Sequence, residues 1–276
     1  MTKFLFIDTE TTGKDVQKAG LHQLSGFIVI DNQIKESFDI KVKPFSGCQI
    51  ENEALETCNI SYNELYGNKA RLEDKDAYIC FNHLLCKYID KFDKSDKFIV
   101  VGYNVRFDIE ILSNLYLRNE DEYFFALVYG NYIDVMSLAT QVLLNERNLM
   151  EDFKQGTVAK YIGLEISEDN LHNSMYDIKV CYQIYSKITN VKFNWSSDII
   201  INTNENFFER YKNPITLPYE QQIMIVLSFG KYKGQTIWSV MNENPYYIKW
   251  LYNQGSDLIT KEIFDKTCLI EKAGSI

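Results

Sequence analysis

Phe4-Leu5-Phe6-Ile7-Asp8-Thr9-Glu10-Thr11-Thr12-Gly13 is a short apolar run that ends in two carboxylates at i and i+2 and passes at once into a small polar turn. In an extended strand, side chains two apart share a face, so Asp8 and Glu10 project together from the end of a buried strand. Carboxylates that close repel each other unless a proton or a cation lies between them. Hard divalent ions such as Mg²⁺ take oxygen ligands of this kind. Taken alone, the pair reads more simply as exposed acids at a strand end; the rest of the chain decides.

The 276 residues suffice for one good core and a smaller second unit. An apolar content of 46 % with 24 % charged residues excludes wholesale disorder, and 19 Tyr and 17 Phe mean that part of the aromatic content packs inside. The longest apolar stretches, Phe98–Val101 and Ile223–Leu227, are far too short to span a bilayer. The N-terminus, one lysine followed by a strand-like run with an acid in it, does not read as a signal peptide. Cys48, Cys58, Cys80, Cys86, Cys181 and Cys268 show no C-x-x-C and no zinc spacing, and read as reduced thiols of a cytoplasmic protein. A net charge of −9 argues against a protein that coats nucleic acid through a basic surface. It suits an enzyme whose acidic site recruits cations that bridge to phosphate.

Strand-like segments at 3–8, 26–31, 36–43, 98–104 and 131–135 alternate with helix-like ones at 74–93, 106–117, 135–149, 155–162 and 174–189. The 26–31 and 36–43 segments read as a hairpin turning near Asp31-Asn32-Gln33. Ala77, Cys80, Phe81, Leu84, Leu85, Tyr88, Ile89 and Phe92 follow the rhythm of an amphipathic helix. Strands in a run and then alternating with helices predict an α/β fold, a mixed sheet covered on both faces. Asn and Ser cluster at 194–206, and Pro214 and Pro218 follow, so 191–216 reads as a linker between a domain at 1–190 and a small α+β module at 217–276.

Three further patches carry acids at element boundaries. Gly102-Tyr103-Asn104-Val105-Arg106-Phe107-Asp108 runs from a buried strand into a helix start, and Ile133-Asp134 closes another strand, where Asp134 reads as a helix N-cap. Leu171-His172-Asn173-Ser174-Met175-Tyr176-Asp177 leads into a helix. On one helix, His172 and Asp177 would stand about 140° apart; with His172 on the preceding loop and Asp177 in the first turn, both lean over one site. His22 and His83 read as packing or solvent residues.

In this order the patches resemble the DEDDh, DnaQ-like 3′→5′ exonuclease family, whose first motif, D-x-E-T-T-G, is Asp8 to Gly13 here. Its second, N-x-x-F-D after a strand, matches Asn104 to Asp108; its third, H-x-A-x-x-D, matches His172 to Asp177 with Ser174 in the small-residue slot. The segment from Lys43-Pro44-Phe45 to Ala54-Leu55-Glu56 resembles the family's substrate-side loop and helix. The resemblance covers about residues 3–190 and implies an RNase H-like mixed sheet flanked by helices.

It also implies a metal-dependent hydrolase that releases nucleoside 5′-monophosphates from 3′ ends. A phosphodiester resists attack because its oxygens are already anionic, and two divalent ions about 3.5–4 Å apart overcome that resistance. The resemblance assigns Asp8, Glu10, Asp108 and Asp177 to two Mg²⁺ or Mn²⁺ ions: Asp8 as the bridge, Glu10 and Asp177 beside the attacking water, Asp108 on the second ion. It assigns His172 as general base, a task that suits an imidazole titrating near working pH. Thr9, Thr11 and Gly13 stand where relatives seat the terminal nucleotide through backbone groups, Asn104 belongs to the second motif, and Phe107 has two readings, a face for the last sugar or base and core packing.

Residues 219–255 resemble the F-G-K-[YH]-K-G module of exodeoxyribonuclease X-like proteins, with Phe229-Gly230-Lys231-Tyr232-Lys233-Gly234 at its turn. A turn exposes Lys231, Tyr232 and Lys233 for strand binding, while Phe229, Trp238, Tyr247, Trp250 and Leu251 read mainly as a mini-core. The expected partner is therefore nucleic acid, single-stranded DNA first, in DNA repair or proofreading beside a polymerase or repair protein, with no membrane. Two alternatives stay open: an exoribonuclease with the same site, and a polymerase-accessory binding protein with a vestigial one.

Overall fold

The computed structural model describes residues 2–167, 171–212, 219–227, 229–254, 256 and 258–273. They fall into two units, Met1–Lys212 and Asn213–Ile276. In the first, six strands, β1 (Lys3–Thr11), β2 (Leu21–Ile30), β3 (Gln33–Lys41), β4 (Ile99–Gly102), β5 (Ile133–Asp134) and β6 (Asn194–Thr203), form one sheet in the order β5-β4-β1-β2-β3-β6. The β1–β2 and β2–β3 pairs are antiparallel; β4, β5 and β6 join in parallel. The expected hairpin forms, with Asp31 at φ +47 and Asn32 at φ +65. Two central residues in the left-handed region match the right-handed twist of the flanking strands.

Helices cover both faces: α1 (Asn52–Thr57), α2 (Tyr62–Gly67), α3 (Asp74–Cys86), α4 (Arg106–Arg118), α5 (Phe124–Leu127), α6 (Val135–Val142), α7 (Gln155–Tyr161), α8 (Ser174–Thr189) and α9 (Asn204–Tyr211). Being central, β1 is apolar on both sides. Leu5 and Ile7 enter a core shared with α3, α4 and α9, whereas Phe6 enters the opposite one, where α6, α7 and α8 pack. There Phe6 stacks on Phe27 at 4.6 Å and meets the ring edges of Tyr182, Tyr185 and Phe193. Gly102 lets β4 approach β1, since a Cβ there would stand 2.8 Å from the Ile7 carbonyl oxygen.

The expected linker at 191–216 is corrected by β6 and α9, which complete the sheet and the first core up to Lys212; residues 213–216 lie outside the described set. The Asn- and Ser-rich sequence hid them because what holds them is tertiary. Glu36 on β3 is fully buried and accepts hydrogen bonds from Lys87 Nζ at 2.8 Å, Tyr88 Oη at 2.6 Å, Asn202 Nδ2 at 2.7 Å and the Tyr211 hydroxyl. Two of those donors come from β6 and α9. Tyr211 also lends its carbonyl to His83 Nδ1 at 2.7 Å. The helices expected over 74–93 and 135–149 are shorter, ending at Cys86 and Val142, with a 3₁₀ turn at Leu144–Leu149.

The second unit holds α10 (Tyr219–Gln222), α11 (Ile237–Glu243), α12 (Pro245–Asn253) and α13 (Lys261–Ala273). The strand expected over 222–229 is reduced to a single bridge, Val226 to Thr236, with residue 228 outside the described set, so the described part of the module is mainly helical. Leu227, Ile237, Val240, Met241, Ile248, Leu251, Ile259 and Ile263 make its core.

Removing one partner from a buried ionic network strands the others. Glu36→Ala is therefore expected to lower stability by about 3 kcal/mol in urea unfolding; a loss under about 1 kcal/mol would show that β6 and α9 are held by apolar packing alone.

Candidate active site

By alternation Asp8 and Glu10 lie on the Phe6 side of β1, the side on which α8 packs. Asp177 sits in the first turn of α8, whose N-cap Asn173 accepts the Tyr176 amide N–H. Asp8, Glu10 and Asp177, all half-buried, offer carboxylate oxygens that lie within 4.8 Å of one another. Asp177 Oδ2 accepts the His172 amide N–H at 2.9 Å, while its Oδ1 is buried with no hydrogen-bond partner. An orphaned carboxylate oxygen facing two more carboxylates is a donor set suited to a hard cation. Divalent metal fits these residues.

Asp108 lies beside that triplet, close enough for its charge to act on Asp8. It is 4 % exposed in the first turn of α4, and its Oδ1 accepts both the amide N–H of Thr9 at 2.8 Å and the Thr9 hydroxyl at 2.6 Å. The expectation that Thr9 offers backbone groups to a ligand is corrected on this point, because its N–H is taken by Asp108. Thr11 is buried and donates its hydroxyl to the Gly13 carbonyl at 2.7 Å. Gly13 is buried too, with the Glu51 carboxylate where a Cβ would point, 2.8 Å away. Phe107 is partly buried against the first core. Asn104 is exposed at φ +58, where it turns β4 into α4, and its amide donates to Asp134 Oδ1 at 2.9 Å. Asp134 caps α6 by accepting the Met136 amide at 3.0 Å, as its place in the sequence predicts.

His172 lies on the loop before α8, exposed, at φ +64. A non-glycine residue there is strained, and the bond from its own amide to Asp177 accompanies that conformation. The structure thus places His172 beside the cluster through its backbone. Ser174, in the family's small-residue slot, is fully buried and bonds Ser25 on β2 at 2.6 Å, which ties the start of α8 to the sheet. Gln155 Nε2 donates to the Asp177 carbonyl at 2.8 Å.

One contact has no signal in the sequence. Cys58, which ends α1, donates its thiol to Glu10 Oε2 at 3.2 Å across a separation of 48 residues. The loop that carries it is pinned to the same strand end, with the Glu51 amide donating to the Thr12 carbonyl at 2.8 Å.

Electrostatics follow from crowding and burial. Desolvation, with the charges of Asp108, Glu10 and Asp177, raises Asp8 well above the usual carboxylate range. Burial pushes Glu10 up to about 7 against the opposing Cys58 bond, and Asp108 up to about 7 against its Thr9 bonds. Asp177 is raised to about 6 by burial, opposed by the His172 amide.

A profile of the exonuclease family matches residues 5–185, well over half of the chain. This chain belongs to the exonuclease family. A second profile, exodeoxyribonuclease X-like C-terminal, matches residues 227–255. No curated protein matches the sequence. Among solved structures, exonuclease I in a study of its processivity is 21 % identical with a TM-score of 0.55, over 76 % of this chain and 43 % of that one. E. coli exonuclease I with a dT13 oligonucleotide is 21 % identical, TM-score 0.55, over 70 % and 42 %. The zinc-bound E. coli exonuclease I–ssDNA complex is 23 % identical, TM-score 0.55, over 69 % and 41 %. The chain spans less than half the length of these structures, and the likeness gives it their RNase H-like fold. Among the described residues no helix is long and apolar enough to cross a membrane, and all six cysteines are free.

Raised carboxylate values mean that the folded, metal-free protein holds protons more tightly than the unfolded chain, so these groups contribute fully below about pH 4 and progressively less as pH rises through 6 to 7. A divalent cation on the deprotonated cluster reverses the loss. Added Mn²⁺ is expected to raise Tm more at about pH 8 than at about pH 5.5 in a thermal melt; equal shifts would remove the cluster as the binding place. Partners of metal ligands affect affinity by about 10-fold or more when lost. Calorimetry is accordingly expected to show Mn²⁺ binding about tenfold weaker in Cys58→Ala and near wild type in Cys58→Ser, which keeps a donor.

Proposed function

We propose that this exonuclease-family chain removes nucleotides one at a time from the 3′ ends of single-stranded DNA in a divalent-cation-dependent hydrolysis. The observation that carries the reading is the Asp8, Glu10 and Asp177 triplet, its oxygens within 4.8 Å of one another, inside the family's matched span. Single-stranded DNA is favoured because structures of the same fold hold a dT13 oligonucleotide and ssDNA.

Two bound Mg²⁺ or Mn²⁺ ions would neutralise the phosphate and lower the cost of forming a nucleophile from water. Asp8, Glu10 and Asp177 would hold them directly. Asp108, tied to Thr9, would serve the second ion, directly or through a water. His172 takes the proton of the attacking water on an imidazole nitrogen, a role its place on an exposed loop beside Asp177 supports. Thr11, Gly13, Asn104 and Phe107 border the terminal nucleotide. Water adds at phosphorus, the bond to the 3′-oxygen of the preceding nucleotide breaks, and a nucleoside 5′-monophosphate leaves. Removal of 3′-terminal nucleotides is the chemistry of proofreading and repair, so a polymerase or repair complex is the partner class the reading calls for.

With 5′-labelled oligonucleotides, wild type is expected to shorten DNA with Mg²⁺ or Mn²⁺ and to be silent in EDTA. Asp8→Asn and Asp177→Asn are expected to abolish cleavage in folded protein, because neutral amides hold these ions poorly. His172→Ala is expected to lower kcat by about 100-fold or more with little change in KM. Absence of any metal-dependent shortening sinks the proposal, and RNA shortened in preference to DNA of equal sequence replaces it with an exoribonuclease.

A further inference from the structure

The turn Gly230 to Gly234 of the second unit does not present all of its side chains. Lys231 and Lys233 are exposed, but Tyr232 is only 4 % exposed, which corrects its expected place on the surface. Its ring points inward, 4.9 Å from Tyr247, and its hydroxyl accepts from Asn244 Nδ2 at 3.0 Å. Tyr247 in turn stacks on Trp250 at 5.6 Å and 29°. Gly230, at φ +72, presses the turn against this column, since a Cβ there would stand 2.2 Å from the Tyr247 hydroxyl. The column is anchored at Tyr232 and ends on an indole that is 45 % exposed. Tyr246, one turn earlier on α12 and on the same face, is 70 % exposed. Trp238, also expected in the mini-core, is likewise 45 % exposed.

Charge singles out the same segment. Residues 227–255 carry Lys231, Lys233 and Lys249 against Glu243 alone, a net of +2 (3 − 1), in a chain of net −9. We propose that this face grips single-stranded nucleic acid, with Trp250 and Tyr246 stacking on bases while Lys231 and Lys233 meet phosphates. Every base has a π face, so such a platform accepts any sequence. A duplex keeps those faces inside its own stack, whereas a single strand offers them. A rigid column suits the task because no side-chain freedom is lost when a base lands on an indole already held from behind. The proposal rests on the nuclease reading of the first unit and adds a second contact to the strand.

The test is fluorescence anisotropy of labelled oligo(dT) on the full chain in EDTA, which keeps the strand intact, with a cleavage assay run in parallel. Trp250→Ala is expected to weaken binding about tenfold, and Trp250→Phe to restore most of it. In the Lys231→Ala, Lys233→Ala double variant, the slope of log affinity against log salt should shrink by about 1.4, or ~0.7 per phosphate contact. Tyr123→Ala, an exposed aromatic of the first unit, keeps wild-type affinity. Melting curves that overlay wild type confirm that each variant folds. The same dependence on Trp250 with oligo(U) supports the grip for RNA as well. Affinity and salt slope unchanged in all the second-unit variants overturn the proposal, even where cleavage is intact. Trp250-dependent binding without any cleavage overturns only the exonuclease reading.

Discussion

Like charge held together at the end of a buried strand is the constraint on which this molecule turns. Asp8 and Glu10 share one side of β1, and α8 brings Asp177 within 4.8 Å of both. Nothing in their mutual interaction favours that arrangement, and all of them titrate above ordinary carboxylates, chiefly because burial penalises their charged forms. It persists because each acid is fixed from elsewhere. β1 is clamped between β2 and β4, and α8 is tied down through Ser174 on Ser25 and Gln155 on its backbone. Asp108 is held by Thr9 and Glu10 by the Cys58 thiol. The cost of gathering negative charge in such a cluster is met by the rest of the fold.

A second buried acid in the same domain shows what a purely structural carboxylate looks like. Glu36 is more deeply buried than any member of the cluster, yet Lys87, Tyr88, Asn202 and Tyr211 all donate to it. Buried polar groups are normally satisfied in this manner. Asp177 Oδ1 is buried with no donor. The contrast is between an acid saturated by its own fold and one that keeps an unpaired oxygen within a cluster of three carboxylates.

The net negative charge lies in one of the two units. The second unit has six Lys and six acidic residues, so the whole net charge of −9 belongs to the first. A polyanion meets an unfavourable field near the first unit except where cations sit on the carboxylates. The lysine turn and exposed aromatics of the second unit face no such opposition from their own segment.

The acidic cluster was legible in the sequence and its supports were not. Asp8-x-Glu10, Asp108 and His172 with Asp177 are local patterns, each set by a strand end or a helix start, and alternation plus capping places them without knowledge of the fold. The sheet, its hairpin and most helices follow from periodicity for the same reason. Contacts between distant segments decided the remainder. A polar stretch at 194–206 became β6 and the start of α9, held in part by the donors it gives Glu36, and Asp108 met Thr9 across 99 residues of chain. Cys58 met Glu10 across 48 residues of chain. Tyr232 turned inward while Trp250 turned outward because Tyr247 could stack between them. Side-chain direction in a turn, and the partner of a buried polar atom, depend on what the rest of the chain brings alongside; that information exists only once the chain has packed.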